Sequence, residues 1–484
     1  MEDPTSLAKL FPEGLRGKRI HVVGAGGSGV SSSVLLAREQ GAQVNGCDNA
    51  ETTMTRVLAA QGVPILHGHD VAHVEGVDLV VTNPAVTTLH PDHLELTAAR
   101  ERGIPVAQWQ ALLGYLMRDR PGVSIAGVHG KGTTTALLGA LAIAVGVDPT
   151  IEVGAVMPEW GANVRVGHGP LFIQEADEWN YNFLNYHPRM VVLTAVEYDH
   201  PEFFPSYEAI RDAFVQFLRG MDMRSDAEDG LPPTLVLNAD SPGCLDVLAQ
   251  LDAWPGRVRR FGLERADVDA SAEDIRDDTE TSFTLRLQGR TLGRVTLRMP
   301  GMHNIANAVA AAAAADALGI APDLLVPTLS AFPGLRRRFE IVEDGDVTFV
   351  DDYAHHPHAV ALTVETARRR FPGRRLVAVF QPTLYTRLHR FLKPFSEAFD
   401  AADEAVIVEI QPSRERDTGL IHGSALAEEI AVRPAFAGRH DAVRYGGTYE
   451  ETARLLRELR QPGDVIVVMG SGPVNRVIAG AKLS

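Results

Sequence analysis

Short apolar, β-branched runs alternate with stretches of helical spacing along most of the chain. "RIHVVGAGG" is an apolar run ending in glycines, and "VSSSVLLAREQG" after it has the spacing of a helix stopped by Gly41. "QVNGCD", "VDLVVTN" and "IPVAQ" read as further buried strands. This alternation, from about Arg19 to Met117, predicts a parallel, doubly wound sheet. "MRDRPGV", Met117 to Val123, is charged and carries Pro-Gly, so it reads as a linker. A second block, about Gly122 to Ala331, opens with "VSIAGVHGKGTTTALLGALAIAVG", a strand, a glycine-rich turn and a helix. "LFIQEA", "MVVLTAVEYDH" and "TLVLNAD" continue it as strands. "SFTLRLQGRTLGRVTLRMPG" alternates with period two and predicts an antiparallel hairpin, and "HNIANAVAAAAAADALG" predicts a helix closed by Gly319. The third block, about Phe332 to Ser484, starts with a hairpin around Asp-Gly in "RFEIVEDGDVTFVDDY". Its further strands are "RLVAVFQP", "EAVIVEI" and "DVIVVMGSG". The expected fold class is α/β in three domains, residues 1–118, 119–331 and 332–484, each on a mostly parallel, doubly wound sheet. The outer two read as Rossmann-like and the central one as P-loop ATPase-like.

Composition narrows the function classes. A chain of 484 residues exceeds one ordinary core. At 45% hydrophobic and 22% charged it reads as soluble and globular. The Ala-rich run Ala308 to Ala315 is too short to span a membrane, and no membrane partner is expected. The acidic start "MEDPTSLAKLFPEG" has no apolar core, so no secretory leader is expected. Cys47 and Cys244 stand far apart, which predicts no disulfide framework and a cytoplasmic location. The net charge of −16 argues against nucleic acid as a main partner, yet leaves small phosphorylated ligands open. Only five of the 46 basic residues are lysines, and one of them, Lys131, sits inside the glycine turn. A compact ammonium is wanted there.

"GVHGKGTTT" is shorter than a strict P-loop, with Gly127, His129, Gly130, Lys131 and then Gly132 before the threonines. Backbone N–H groups of such a turn, with the following helix N-terminus, form an anion site. Lys131 would meet the terminal phosphates, and Thr133 or Thr134 would offer a hydroxyl to Mg²⁺. Glu175, Asp177 and Glu178 end one strand, and Glu197, Asp199 and His200 end the next. Ligands of open α/β sheets bind at these carboxyl ends, so both clusters suit Mg²⁺ beside a nucleotide. "DDYAHHP" sets Asp351, Asp352, His355 and His356 at a strand–helix junction, and "PGLRRRFE" sets Arg336, Arg337 and Arg338 at the second domain boundary. That arginine cluster could clamp a phosphate.

In this order, "GAGGSGVSSS", "GVHGKGTTT", "EADE", "EYDH", "PGMHNIANAVAA", "LRRRFE", "DDYAHHP" and "VFQPTLYTR" resemble the Mur ligases, ATP-dependent amide-forming enzymes of peptidoglycan synthesis, over nearly the whole chain. Within the family they look most like the members that add L-alanine to UDP-N-acetylmuramate. The resemblance implies ATP and Mg²⁺, small-molecule substrates, and a monomer or homodimer. It implies that Lys131 and a nearby Thr hold the ATP phosphates, that Glu175 and His200 ligate Mg²⁺, and that Asn304 and Asn307 reach the adenine. Arg338 would meet a phosphate and Asp352 the ribose. Gly24, Gly26, Gly27, Gly29, Ser31 and Asp48 would receive the UDP-sugar. His356 and Arg387 would lie near the amino acid. A carboxylate would be activated as an acyl phosphate and attacked by a neutral amine. Loss of Lys131 should then abolish ligation with the fold intact, as for a surface lysine.

The chain also departs from the family pattern. Gly132 stands where a Thr follows the lysine, and Ala195 replaces an Asn. Trp179-Asn180 replace Ser-Asp, and Thr383-Leu384 replace His-Arg. "HPRMVVLTAVEYDHPEFFPSYEAI" is similar to the murein-peptide recycling ligases of the same family. Three alternatives follow: a ligase for another amino acid or a recycled peptide, a nucleotide-binding regulatory homologue without ligase activity, and a nicotinamide oxidoreductase using "VVGAGGSG" with Asp48.

Overall fold

The computed structural model describes residues 2–157, 159–224, 231–439 and 441–482; the outermost positions of the expected domains, Met1, Leu483 and Ser484, lie outside them. The amino-terminal sheet contains β1 (Arg19–Val23), β2 (Gln43–Asp48), β3 (Ile65–His67), β4 (Leu79–Thr82) and β5 (Val106–Gln108). Their order is β3-β2-β1-β4-β5, all parallel, so the chain reverses direction across the sheet at β1. Ligands of such sheets bind at that switch point, where the glycine turn leaves β1.

The central sheet has ten strands: β6 (Gly122–Ala126), β7 (Thr150–Met157), β8 (Ala162–Arg165), β9 (Phe172–Ala176), β10 (Met190–Leu193), β11 (Thr234–Asn238), β12 (Arg257–Gly262), β13 (Ala270–Asp277), β14 (Thr281–Leu287) and β15 (Arg290–Leu297). Strands β12, β11, β10, β6, β9 and β7 run parallel, in that spatial order. The predicted hairpin is β14–β15, and β13 and β8 add further antiparallel pairings at the two ends. The Ala-rich helix Met302–Ala317 is buried from Ala308 to Ala315 against one face, where small side chains let the backbone approach the sheet closely.

The carboxyl-terminal sheet comprises β16 (Glu340–Asp344), β17 (Thr348–Asp352), β18 (Leu376–Phe380), β19 (Glu404–Val408), β20 (Val443–Gly447) and β21 (Val465–Met469), in the order β16-β17-β21-β18-β19-β20. Only β16 is antiparallel. Helices cover both faces, with a separate apolar cluster on each.

The linker reading of Met117 to Val123 is too generous. Met117 ends the helix Trp109–Met117, in which every residue from Gln110 onward is buried, and Gly122 already opens β6. That helix welds the first two sheets together. Tyr115 donates to the Phe11 carbonyl at 2.6 Å, Gln110 donates to Asn182 at 2.7 Å, and one apolar cluster runs from Leu7 through Leu113 to Phe217. Burial of this whole helix leaves only residues 118–121 to connect the two sheets.

Candidate active site

The carboxyl ends of the central strands face a cleft of about 2320 Å³ that takes residues from all three sheets' loops. At its floor the turn after β6 enters helix Lys131–Ala144. Gly130 adopts φ +82° and Gly127 φ +133°, conformations that side chains rarely take. A Cβ at Gly130 would strike the Asn307 amide, and one at Gly132 would lie 2.8 Å from Glu175 Oε1. A side chain at Gly132 would therefore displace the Glu175 carboxylate.

Lys131 does not stand free in this turn. Its ammonium donates to the Gly127 carbonyl at 2.7 Å and to Glu178 Oε2 at 2.8 Å. Burial disfavours the charge on Lys131, but Glu178, Asp177 and Glu175 outweigh it and raise its pKa. Glu178 is fully buried. Burial pushes its carboxyl up, yet Lys131 and His200 hold it at about 2. Its Oε1 lies 3.6 Å from His200 Nε2 and makes no hydrogen bond.

The structure joins Glu178, not Glu175, to His200. Asp177, Glu178 and His200 bring ligand atoms within 4.8 Å of one another, a spacing suited to one cation, and Glu175 is outside that group. Glu175 instead accepts from the Gly154 N–H and faces Gly132. Just after Glu178 the chain kinks, with Asn180 and Tyr181 at left-handed φ of 55° and 53°. Thr133 lines the cleft, whereas the Thr134 hydroxyl is bound to Asn307 Oδ1 at 3.3 Å. Asn304 and Asn307 both line the cleft but are hydrogen-bonded to each other at 3.3 Å, so Asn307 also braces the phosphate turn.

The other expected residues divide in two. Arg338 lines the cleft, stacks over Tyr353 at 5.0 Å and forms no ion pair among the described residues. Its neighbours are spent differently: Arg337 bonds the Gly472 carbonyl at 2.9 Å, and exposed Arg336 pairs with Glu340 at 3.1 Å. Asp352 is a structural clip as well as a cleft residue, accepting the Phe339 and Ala354 N–H groups, each at 2.7 Å. His356 is buried with both ring nitrogens unpartnered, and burial lowers it to about 4. It meets His129 and Glu197 in a second group of potential ligands. At the amino-terminal end Gly26 and Gly29 line the cleft, Gly29 lying directly against Trp109. Gly24 and Gly27 are in the same turn but outside the lining. Ser31 is not in the cleft: it is fully buried and donates to Asn163 at 3.1 Å. Asp48 is consumed by the turn itself, accepting the Gly26 N–H at 2.9 Å.

Arg387 is 2% exposed, donates to Asp199 Oδ1 at 3.0 Å and approaches His200 Nδ1 at 3.2 Å. Arg414, which the sequence reading missed, approaches the same ring nitrogen of His200 at 3.3 Å, pairs with Glu202 and stacks 4.1 Å over Trp179. One departure from the family pattern, Trp179, is thus in contact with this region through Arg414, and another, Thr383, lines the cleft. Burial disfavours the charged form of His200, but Asp199, Glu178 and Glu202 outweigh it and raise it to about 9. A second missed group is Glu152 on β7. It is 3% exposed, held by Ser32 at 3.0 Å, and raised to about 8 by burial and then by Glu175.

Three family models match in chain order: the Mur ligase family catalytic domain over residues 19–121, the Mur ligase middle domain over 173–315, and the Mur ligase glutamate ligase domain over 337–472. The UDP-N-acetylmuramate–L-alanine ligase of Sorangium cellulosum is 36% identical over 96% of this chain and 96% of its own length. That of Methylococcus capsulatus is 37% identical over 94% of each. Among solved structures, the UDP-N-acetylmuramate–alanine ligase of Thermotoga maritima superposes with a TM-score of 0.76 at 25% identity, over 95% of this chain and 97% of its own. A murein peptide ligase of Psychrobacter arcticus gives 0.72 at 25% identity, over 97% and 100%.

Proposed function

The chain belongs to the Mur ligase family, and we propose that within it the enzyme joins L-alanine to UDP-N-acetylmuramate at the expense of ATP. The observation that carries this reading is the phosphate turn, with Lys131 on a buried carboxylate that also faces His200 and retains an unpaired oxygen. On this reading the enzyme acts in peptidoglycan precursor synthesis.

Backbone N–H groups of the Gly130–Thr133 turn and the positive end of helix Lys131–Ala144 receive the ATP phosphates. The unsatisfied Glu178 oxygen, with Asp177, His200 and the Thr133 hydroxyl, suits a hard divalent cation, and these residues would hold Mg²⁺. When bound, Mg²⁺ supplies charge neutralisation to the phosphates. Arg338, which forms no ion pair among the described residues and faces the cleft, adds a guanidinium for the phosphoryl group that moves to the muramyl carboxylate. The resulting acyl phosphate is a better acyl donor than a carboxylate because phosphate is the better leaving group. Gly26, Gly29 and Trp109 line the end of the cleft that takes the UDP-sugar. Arg387 and Arg414, which converge on His200 Nδ1, would provide cations for the carboxylate of the incoming amino acid. His356, neutral at pH 7 with both nitrogens unpartnered, can accept a proton or hydrogen bond from the attacking amine.

Contact between Arg414 and Trp179 favours one second reading, a peptide acceptor as in the murein peptide ligase that the fold also matches. Phosphate release with ATP, Mg²⁺ and UDP-N-acetylmuramate, measured across single amino acids and a murein tripeptide, separates the two. L-Alanine is expected to give the highest kcat/KM; a preference for the tripeptide would overturn the L-alanine reading.

A further inference from the structure

A second cluster of chemically active side chains lies in the amino-terminal domain, outside the cleft. His21 on β1, Cys47 on β2, His69 and His73 after β3, and His93 and Glu95 at the start of helix Leu94–Glu101 converge there. His21, Cys47 and Glu95 are fully buried. Cys47 Sγ lies 3.4 Å from His21 Nε2, 3.2 Å from His69 Nδ1 and 3.2 Å from Glu95 Oε2. Glu95 Oε2 lies 3.6 Å from His21 Nε2 and 3.5 Å from His69 Nδ1. A tetrahedral ion with bonds of about 2.0 Å to nitrogen and oxygen and 2.3 Å to sulfur sets neighbouring ligand atoms roughly 3.3–3.6 Å apart. These five separations fall at or just below that spacing, and two ligand groups close around the shared Glu95, one of His21, Cys47 and His73 and one of His69 and His93.

The surroundings aim these atoms inward. His21 Nδ1 is hydrogen-bonded to Asn45 Oδ1 at 2.7 Å, which turns Nε2 towards the thiol, an outer-shell arrangement common to metal-ligating imidazoles. Glu95 Oε1 accepts the Asp70 N–H at 3.0 Å and is bound to His73 Nδ1 at 2.6 Å, leaving Oε2 for the centre. His93 packs edge-on to His69 with ring centroids 4.4 Å apart. It is 9% exposed, and neither ring nitrogen has a hydrogen-bond partner. Two unsatisfied nitrogens on a buried ring are costly unless something binds them.

We propose that this cluster binds a divalent transition-metal ion, zinc in first place, through Cys47, His21 and Glu95, with the imidazole of His69 or His73 as fourth ligand and His93 at the edge of the shell. The mixture of thiolate, imidazole and carboxylate selects zinc over magnesium or calcium. On binding, the Cys47 S–H proton leaves to solvent and a sulfur–metal bond replaces it. Thiolate and carboxylate then balance the ion's double charge, so the buried site is neutral. The site would anchor the sugar-binding turn from beneath, because the Cys47 carbonyl accepts the Gly24 and Ala25 N–H groups, each at 3.0 Å.

The test is elemental analysis of the full chain after dialysis against metal-free buffer. About one zinc per chain is expected in the wild type and in His200→Ala, and near none in Cys47→Ser or Glu95→Gln. Those variants could lose zinc by misfolding, so the metal-free wild type is also titrated with Co²⁺. A near-ultraviolet thiolate-to-cobalt charge-transfer band, with visible bands of four-coordinate intensity, is expected. A wild type that retains no zinc and gives no such band would overturn the proposal. So would zinc that is kept by Cys47→Ser and lost by His200→Ala, since that ion belongs to the cleft.

Discussion

Replacing Lys131 with alanine should cost both activity and stability, and the structure sets the second cost. Glu178 is fully buried and its partner's side chain is only 15% exposed. Burial alone would push the Glu178 carboxyl up, but Lys131, then His200, bring it to about 2 from an ordinary 4.5. That gap corresponds to roughly 3 kcal/mol at neutral pH, and breaking a buried pair by removing one partner costs about 3–5 kcal/mol. A loss of about 3 kcal/mol is therefore expected in urea unfolding at pH 7.5, in the transition of the central domain. The sign with pH is fixed: a depressed folded-state pKa stabilises above the unfolded value, so the gap to wild type should close as pH falls from about 4.5 towards 2. Adding Glu178→Gln to Lys131→Ala removes the stranded charge and should recover most of the stability, while ATP-dependent phosphate release stays abolished. An alanine variant as stable as wild type, a double variant no more stable than the single, or a single variant with near-normal turnover would each refute this reasoning.

Other perturbations follow from the same geometry. Glu178→Gln should raise the Mg²⁺ concentration for half-maximal turnover more than Glu175→Gln does, because Glu178, unlike Glu175, shares a ligand group with His200; equal titration curves would contradict the assignment. Arg338→Ala should lower kcat of ATP-dependent phosphate release by about 10²–10³-fold. Arg387→Ala should reduce kcat/KM for L-alanine at least about a hundredfold and destabilise by about 3–5 kcal/mol through the stranded Asp199, with KM for ATP little changed; unaltered L-alanine kinetics would move the carboxylate to Arg414. Glu152, raised to about 8 by burial and Glu175, should make stability fall as pH rises from about 4.5 to 8, because the folded state binds the extra proton over that window. Glu152→Gln should flatten that slope in unfolding measured from pH 5 to 9.

The three sheets were legible because buried parallel strands are short, apolar and bounded by glycines, as in "RIHVVGAGG" and "DVIVVMGSG". Strands at sheet edges gave weaker patterns: β3 has three residues and β20 reads "VRYGG", so neither carries a continuous apolar run. The phosphate turn was legible as a motif, but which carboxylate of "EADEW" meets His200 was not. That choice depends on how the loop after β9 packs against the turn of Lys131 and against His200, which are far away in sequence. Arg414 and Glu152 had no local signal, since each acquires its meaning from a partner on another element. The His–Cys–Glu cluster is spread from residue 21 to 95, with no compact ligand spacing to read, and only the pairing of β1 with β2 and the packing of one helix bring it together. Ser31 looked like part of a binding turn but lies one helical position too deep, where the helix meets the central domain.

Carboxylate activation inside the three-domain cleft is the central claim, and oxygen transfer tests it most directly. UDP-N-acetylmuramate labelled with ¹⁸O in its muramyl carboxylate is incubated with the enzyme, ATP, Mg²⁺ and L-alanine, and the released phosphate and the amide product are weighed by mass spectrometry. Transfer of one labelled oxygen per turnover to the phosphate, with the other retained in the amide, is predicted by an acyl phosphate. Phosphate released without label would contradict the account.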